Sequence, residues 1–253
     1  MNLNFTKIGN GNPILIVHGL FGSSDNWRTL GKKFSEKNTV YLIDLRNHGR
    51  SDHSYKMNYD IMAEDLMDLI SKEHIINPIL IGHSMGGKTA LMFVKKYPNV
   101  LKKLIVADIG LKEYPMHHED ILKGLNSIDL NTTKTRSDAQ KKIAIHIKEI
   151  GVQQFLLKNL YWIEKGQLAW RMNLKVIEQN IYEILKKIDI DKNFTKTLFL
   201  RGGLSNYILK QDFDDLKNKF PNGDIKTIEN VGHWLHAENP LKFYQLVKEF
   251  IKV

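Results

Sequence analysis

The stretch that most constrains this chain is Gly82-His83-Ser84-Met85-Gly86-Gly87. The apolar run Asn77-Pro78-Ile79-Leu80-Ile81 precedes it and reads as a buried strand. Lys88 to Tyr97 follows, with Ala90, Leu91, Phe93 and Val94 at helical spacing. The pattern G-x-S-x-G therefore sits on a strand-to-helix turn, the context that separates a nucleophile elbow from a chance match. Such a turn strains the serine backbone, and glycine to either side removes Cβ atoms that would clash. It lifts the Ser84 hydroxyl to the carboxyl end of the strand. The first N–H groups of the helix then point at whatever the serine attacks.

The rest of the chain supplies a sheet for this turn. Leu3 to Ile8 alternates weakly, as an edge strand would. Pro13 to Val17, Val40 to Ile43, Leu104 to Ala107 and Thr197 to Leu200 are continuous apolar runs, expected of strands buried on both faces. Asp224 to Ile228 reads as the last strand. Helices are expected after Asp25 as cap, from Asn58 or Asp60 through Glu73, from Phe213 to Phe220, and from Pro240 through Ile251. This alternation predicts an α/β fold with a doubly wound, mainly parallel sheet. The alternation stops between residues 111 and 195. There, Ala139 to Ile150 reads as an amphipathic helix, and Phe155-Leu156-Leu157 continues the helical character. Trp162 to Trp170, around Gly166, suggests a short hairpin, and Leu174 to Ile188 a further helix. The expected organisation is a core of residues 1–110 and 196–253 with a mostly helical cap insertion at 111–195. Such an insertion serves either as a lid over the strand ends or as an added helical layer.

A chain of 253 residues suits one α/β domain better than two. Its net charge of +9 comes mostly from lysines scattered in ones and twos. No basic stripe with interleaved aromatics appears, so a solvated surface is expected and no nucleic-acid partner. The absence of cysteine excludes disulfides, thiolate metal sites and a cysteine nucleophile, and suits a reducing compartment. Met1 to Asn10 has no secretory apolar segment, and no run approaches the roughly 20 residues that span a bilayer. A cytoplasmic protein without cofactor or metal is expected.

In a doubly wound sheet, ligands bind beyond the carboxyl ends of the strands. His18-Gly19, Asp44, Ser84, Asp108, Ser205 and His233 each follow a strand and would converge on one rim. A serine hydroxyl needs a base to take its proton. His233 is the candidate, late in the chain and after Gly232, in the order nucleophile, acid, histidine that this fold uses. His236 competes for the role; His233 and His236 as metal ligands lack a third ligand nearby. An acid must fix the histidine tautomer and stabilise the imidazolium. Its usual loop, after the Leu198–Leu200 strand, is Arg201 to Tyr207 and contains no carboxylate. The acid is therefore assigned to Asp108, at the end of the strand after the elbow, ahead of Asp212, Asp214 and Asp215. Ser205 would fill the vacated place and bond to the His–Asp pair. Oxyanion donors are expected at the N–H of Met85 and of Leu20, with Phe21 as second choice. Arg46 and His48 are read as ties between loops. His83, Phe155, Trp162 and Trp234 are placed in the substrate pocket, with Leu156 and Trp170 beside them. His117 and His118 are expected to be exposed.

These residues resemble those of the α/β-hydrolase superfamily and, more closely, of the YbfF-type bacterial esterases. The resemblance rests on His18-Gly19-Leu20-Phe21-Gly22-Ser23, Asp44-Leu45-Arg46-Asn47-His48-Gly49, the elbow through Lys88, Ala107-Asp108-Ile109, Gln154 to Lys158, and Gly232 to Glu238. It implies a serine nucleophile, an acid after the next strand, an additional serine near the histidine, and that histidine: Ser84, Asp108, Ser205 and His233. It also implies hydrolysis of carboxylic esters, with acyl-CoA thioesters among the substrates, under a helical cap. One departure is Leu204-Ser205-Asn206, where the family pattern has proline after the serine. Rival readings are a carbon–carbon hydrolase or menaquinone-pathway lyase on the same fold, and a binding protein that has lost turnover.

Overall fold

The computed structural model describes residues 1–252. In chain order the strands are β1 (Phe5–Ile8), β2 (Asn12–Val17), β3 (Asn38–Ile43), β4 (Ile79–His83), β5 (Lys103–Ala107), β6 (Leu160–Glu164), β7 (Gln167–Trp170), β8 (Thr197–Gly202) and β9 (Gly223–Ile228). The helices are α1 (Arg28–Phe34), α2 (Tyr59–Lys72), α3 (Met85–Lys96), α4 (Glu119–Asn126), α5 (Arg136–Ile143), α6 (Ile150–Leu157), α7 (Leu174–Gln179), α8 (Ile181–Leu185), α9 (Phe213–Lys219), α10 (Leu235–Glu238) and α11 (Pro240–Lys252).

Seven strands form one sheet in the order β1-β3-β2-β4-β5-β8-β9. All neighbours run parallel except β1, which pairs antiparallel with β3 at the edge. The continuous apolar runs are explained by two-sided burial. Leu15 and Val17 face a core shared with α2 and α3, while Ile14 and Ile16 face one shared with α1 and α11. The ladder continues one residue past the strands: Ser84 N donates to Ala107 O and Asp108 N to Leu200 O. Ser84 and Asp108 thus stand side by side at the carboxyl rim.

Between β5 and β8 lie α4 to α8 and the hairpin β6–β7, which turns at Gly166 with φ +82°. The two ends of this insertion are bonded to each other: Tyr114 N donates to Leu185 O and Ile188 N to Leu111 O. Its apolar faces, including Leu125, Ile143, Leu156 and Ile177, join the core on the α2–α3 side.

Three local expectations need correction. The helix read over Ala139 to Ile150 ends at Ile143. His146 and Ile147 both donate to Ile143 O, and Gln153 Nε2 donates to Ile147 O at 2.8 Å. This turn seats Ile147 against Gly124 of α4, where any Cβ would lie 3.1 Å from Ile143 and Ile147 side-chain atoms, and leaves Ile150 exposed. The helix read over Leu174 to Ile188 breaks at Asn180, whose side chain donates to Val176 O at 2.9 Å and competes with the backbone. Before α1 the cap position belongs to Ser23, ahead of a 3-10 turn over Ser24–Trp27, while Asp25 lies inside that turn and pairs with Arg28 at 2.9 Å.

Candidate active site

Ser84 has φ +53° and ψ −118°, a conformation that L-residues adopt only under constraint. The constraint is close backbone packing. A Cβ on Gly82 would meet Gly86 O at 2.3 Å, and one on Gly86 would meet His18 O at 2.5 Å. The two glycines let the strand, the turn and the loop after β2 stack.

His233 reaches this serine from the loop after β9. Its Nε2 lies 2.9 Å from Ser84 Oγ and its Nδ1 lies 2.8 Å from Asp108 Oδ2. A carboxylate only accepts, so Nδ1 carries the proton and the Nε2 lone pair faces the serine hydroxyl. Asp108 is fully buried and φ +50° turns it into the site. Gly202 N donates to its Oδ1 at 2.9 Å, and the Ser205 hydroxyl donates to Oδ2. Tyr207 N in turn donates to Ser205 Oγ at 3.2 Å. The loop reaches this arrangement without the proline expected after Ser205. Tyr207 was not foreseen as a site residue; its ring stacks on His233 at 3.9 Å and 17°. No spacing signal marks it, since the contact depends on how the loop after β8 folds back.

The N–H of Met85 opens α3 beside Ser84, and Leu20 lines the space in front of it. Phe21, the second choice as oxyanion donor, is corrected: its N–H donates to His48 Nε2 at 3.2 Å. Its carbonyl accepts from Asn159 Nδ2 at 2.7 Å, so the insertion grips this loop. Arg46 and His48 act as ties. Arg46 makes a buried two-point contact with Asp65 at 2.6 and 2.8 Å, and His48 Nδ1 donates to Arg46 O at 2.9 Å.

A cavity of about 230 Å³ opens beside Ser84. His83, Phe155, Leu156 and Trp234, read as pocket residues, line it. Trp162 does not: it sits on the outer face of β6, 44% exposed, and Trp170 is likewise outside the cavity. His118, expected to be exposed, lines the cavity, and so does His117, which is exposed and bonds Tyr207 Oη at 2.6 Å. His236 bonds to neither Ser84 nor Asp108, both of which meet His233 instead. His236 is buried and stacked on Trp27 at 4.2 Å and 7°.

Burial favours the neutral form of His18, His83, His118 and His236, which line the cavity, and of His48, which packs behind them on His18 at 5.1 Å. Desolvation pulls His48, His118 and His236 each down to about 3, against opposing or reinforcing neighbours. His83 is also lowered well below its ordinary range, first by burial and then by His236 and His233. Its Nε2–H donates to His233 O at 2.9 Å and so holds the backbone that carries the base candidate. Among the described residues no group of three or more histidines and carboxylates is placed to hold a metal, and no helix is long and apolar enough to cross a membrane.

A strand-to-helix turn bearing a strained serine, with a histidine and a buried carboxylate on strand ends of the same rim, is the arrangement of an α/β hydrolase. Residues 12–142 match the family described as alpha/beta hydrolase fold, and the chain belongs to that family. Within it, the chain groups with the YbfF-type esterases. It is 34% identical to Esterase YbfF of Escherichia coli, over 96% of this chain and 94% of that one. It is 38% identical to a protein called putative esterase/lipase in Haemophilus influenzae, over 94% of this chain and 83% of that one. It is also 35% identical to an sn-1-specific diacylglycerol lipase, ABHD11, of Danio rerio, over 98% and 81%. A solved structure titled marine microorganism esterase superposes with a TM-score of 0.95 at 42% identity, covering 98% of both chains.

Proposed function

We propose that the protein is a serine esterase that hydrolyses carboxylic esters through an acyl-enzyme on Ser84. The observation that carries this reading is the continuous hydrogen-bonded chain Ser84 Oγ, His233 and Asp108 on one rim of the sheet. His233 takes the hydroxyl proton as Ser84 Oγ attacks the acyl carbonyl, and Asp108 holds the imidazolium that forms. The N–H groups of Met85 and Leu20 hold the oxyanion, each worth roughly 3–4 kcal/mol in the transition state. His233 then passes the proton to the leaving oxygen. Water, deprotonated by the same nitrogen, attacks the acyl carbon; the bond to Ser84 Oγ breaks, Oγ takes the proton back from His233, and the acid leaves.

The insertion, residues 111–195, serves as the cap. It contributes Phe155, Leu156 and His118 to the cavity wall, so the apolar acyl group is held between sheet rim and insertion. Acyl thioesters, acyl-CoA among them, undergo the same attack and belong to the proposed substrate range. The diacylglycerol lipase relatives make glycerol esters worth including.

The test is turnover of p-nitrophenyl esters of graded acyl length, glycerol monoesters and acyl-CoA by wild type and Ser84→Ala, with fluorophosphonate labelling. Turnover and labelling that both vanish in Ser84→Ala support the proposal. Labelling at another residue, or full ester turnover by Ser84→Ala, overturns it.

A further inference from the structure

Lys88 is the one lysine of α3 that is fully buried, at 1% exposure, yet the proposed chemistry does not use it. It stands one turn after the elbow, its N–H donating to Ser84 O at 3.0 Å. Among the described residues its ammonium pairs with no carboxylate. It donates instead to Lys112 O at 2.8 Å, to Leu185 O at 3.4 Å and to Lys186 O. An ammonium has three N–H groups, and three carbonyls meet them. The rings of Tyr114 and Tyr59 flank the charge at 4.9 and 5.9 Å. Tyr59 Oη donates to Ile184 O at 2.6 Å beside it.

The positions of these carbonyls matter more than their number. Lys112 belongs to the stem by which the chain leaves β5, and Leu185 and Lys186 to the stem by which the insertion returns. One side chain from the nucleophile helix thus fastens both stems. From the first stem the contacts lead back to the site. Tyr114 Oη accepts from Gly110 N and donates to Tyr207 O, both at 2.8 Å, and the Tyr207 ring lies flat on His233. Burial draws the Lys88 ammonium down to about 7, with Glu113 opposing this. Methionine would fill the same space without that cost and without the three bonds.

We propose that Lys88 is a positioning residue: it clasps both stems of the insertion to the elbow helix and, through Tyr114 and Tyr207, holds the His233 ring in line with Ser84. Its kinetic consequence rests on the serine-esterase reading, whereas its structural consequence does not.

The test compares Lys88→Met and Tyr114→Phe with the intact full-length chain. In Lys88→Met, hydrogen exchange at the stem amides of Tyr114 and Ile188 speeds up by about tenfold or more, while the amides of β4 and β5 keep their protection. The low-field proton on His233 Nδ1, read by NMR, shifts or broadens. Turnover of p-nitrophenyl acetate loses about 10- to 100-fold in kcat with little change in KM. Tyr114→Phe leaves the clasp but cuts the link to Tyr207. It moves the His233 proton and kcat and leaves the exchange of Ile188 unchanged.

A wild-type His233 signal and kcat in Lys88→Met overturn the proposal, as does a loss of protection spread equally over stems and sheet. Should Lys88→Met fail to fold, an unchanged His233 signal in Tyr114→Phe overturns it alone. If Ser84→Ala keeps full turnover, the serine reading has failed, and the exchange and NMR arms still decide the clasp.

Discussion

The Ser205 hydroxyl and the His233 Nδ1–H converge on the same oxygen of Asp108, Oδ2, while Gly202 N occupies Oδ1. The carboxylate is thus held by three donors and is shut away from solvent. Asparagine at this position would present an NH2 group to at least one donor. It would also favour the imidazole tautomer that leaves Nε2 protonated toward Ser84. Asp108→Asn is therefore expected to lower kcat by about 10³- to 10⁴-fold. Ser205→Ala removes one donor and leaves the His–Asp bond, so about a tenfold loss is expected. Steady-state kinetics on one p-nitrophenyl ester checks both. Equal losses would mean that Ser205 does more than hold the carboxylate.

Much of this arrangement was legible in the sequence because it follows from strand ends. A parallel strand buried on both faces must read as an apolar run, and the residue after it must reach the rim. Ser84 after Ile79–His83 shows through this rule together with the G-x-S-x-G pattern, and Asp108 after Lys103–Ala107 through it together with the lack of a carboxylate in the loop after β8. What was not legible depends on how irregular segments fold back. Trp162 sits on a two-stranded hairpin with one face in solvent, so an apolar side chain there carries no sign of which way it points. His118 and Tyr207 reach the cavity from loops without a period to read. Leu20 and Phe21 are adjacent, and only the bond from Phe21 N to His48 separates a committed amide from a free one.

The contrast between Phe155 and Trp162 gives a second prediction. Phe155 lines the cavity and packs on Trp234 at 5.6 Å, whereas Trp162 is outside it. Phe155→Ala enlarges the acyl site, so the ratio of kcat/KM for long over short acyl esters should rise by about tenfold. Trp162→Ala should leave that ratio within about twofold of wild type. A chain-length series on both variants decides it. A shift in Trp162→Ala as large as in Phe155→Ala would mean that the acyl group lies elsewhere.

Two glycines with opposite surroundings give a third. A Cβ on Gly82 would meet backbone at 2.3 Å, against a rigid turn that cannot yield. Gly82→Ala should cost on the order of 3 kcal/mol or more. Gly151 lies in α6 with nothing within 4 Å of the added Cβ. Gly151→Ala should stabilise by about 0.5–1 kcal/mol through helix propensity. Urea unfolding at pH 7 reads both, and a destabilised Gly151→Ala would show that α6 is not helical there.

The buried histidines set the behaviour in acid. His48, His118 and His236 titrate near 3 in the fold, and His18 and His83 are lowered as well, burial being the first cause in each. An unfolded histidine titrates near 6.5. Between these values the unfolded chain binds protons that the folded one refuses, so stability is fully present above about 6.5 and is lost as pH falls toward 3. Each such group contributes up to about 1.4 kcal/mol per pH unit across that window. Free energies from urea unfolding at pH 7, 6 and 5 should therefore fall steeply. His236→Phe keeps the stack on Trp27 and removes one titrating group, so its slope should be shallower by about 1.4 kcal/mol per pH unit. A variant as acid-sensitive as wild type would show that His236 is not among the groups refused a proton. A wild type with flat stability from pH 7 to 5 would show that these histidines are open to solvent.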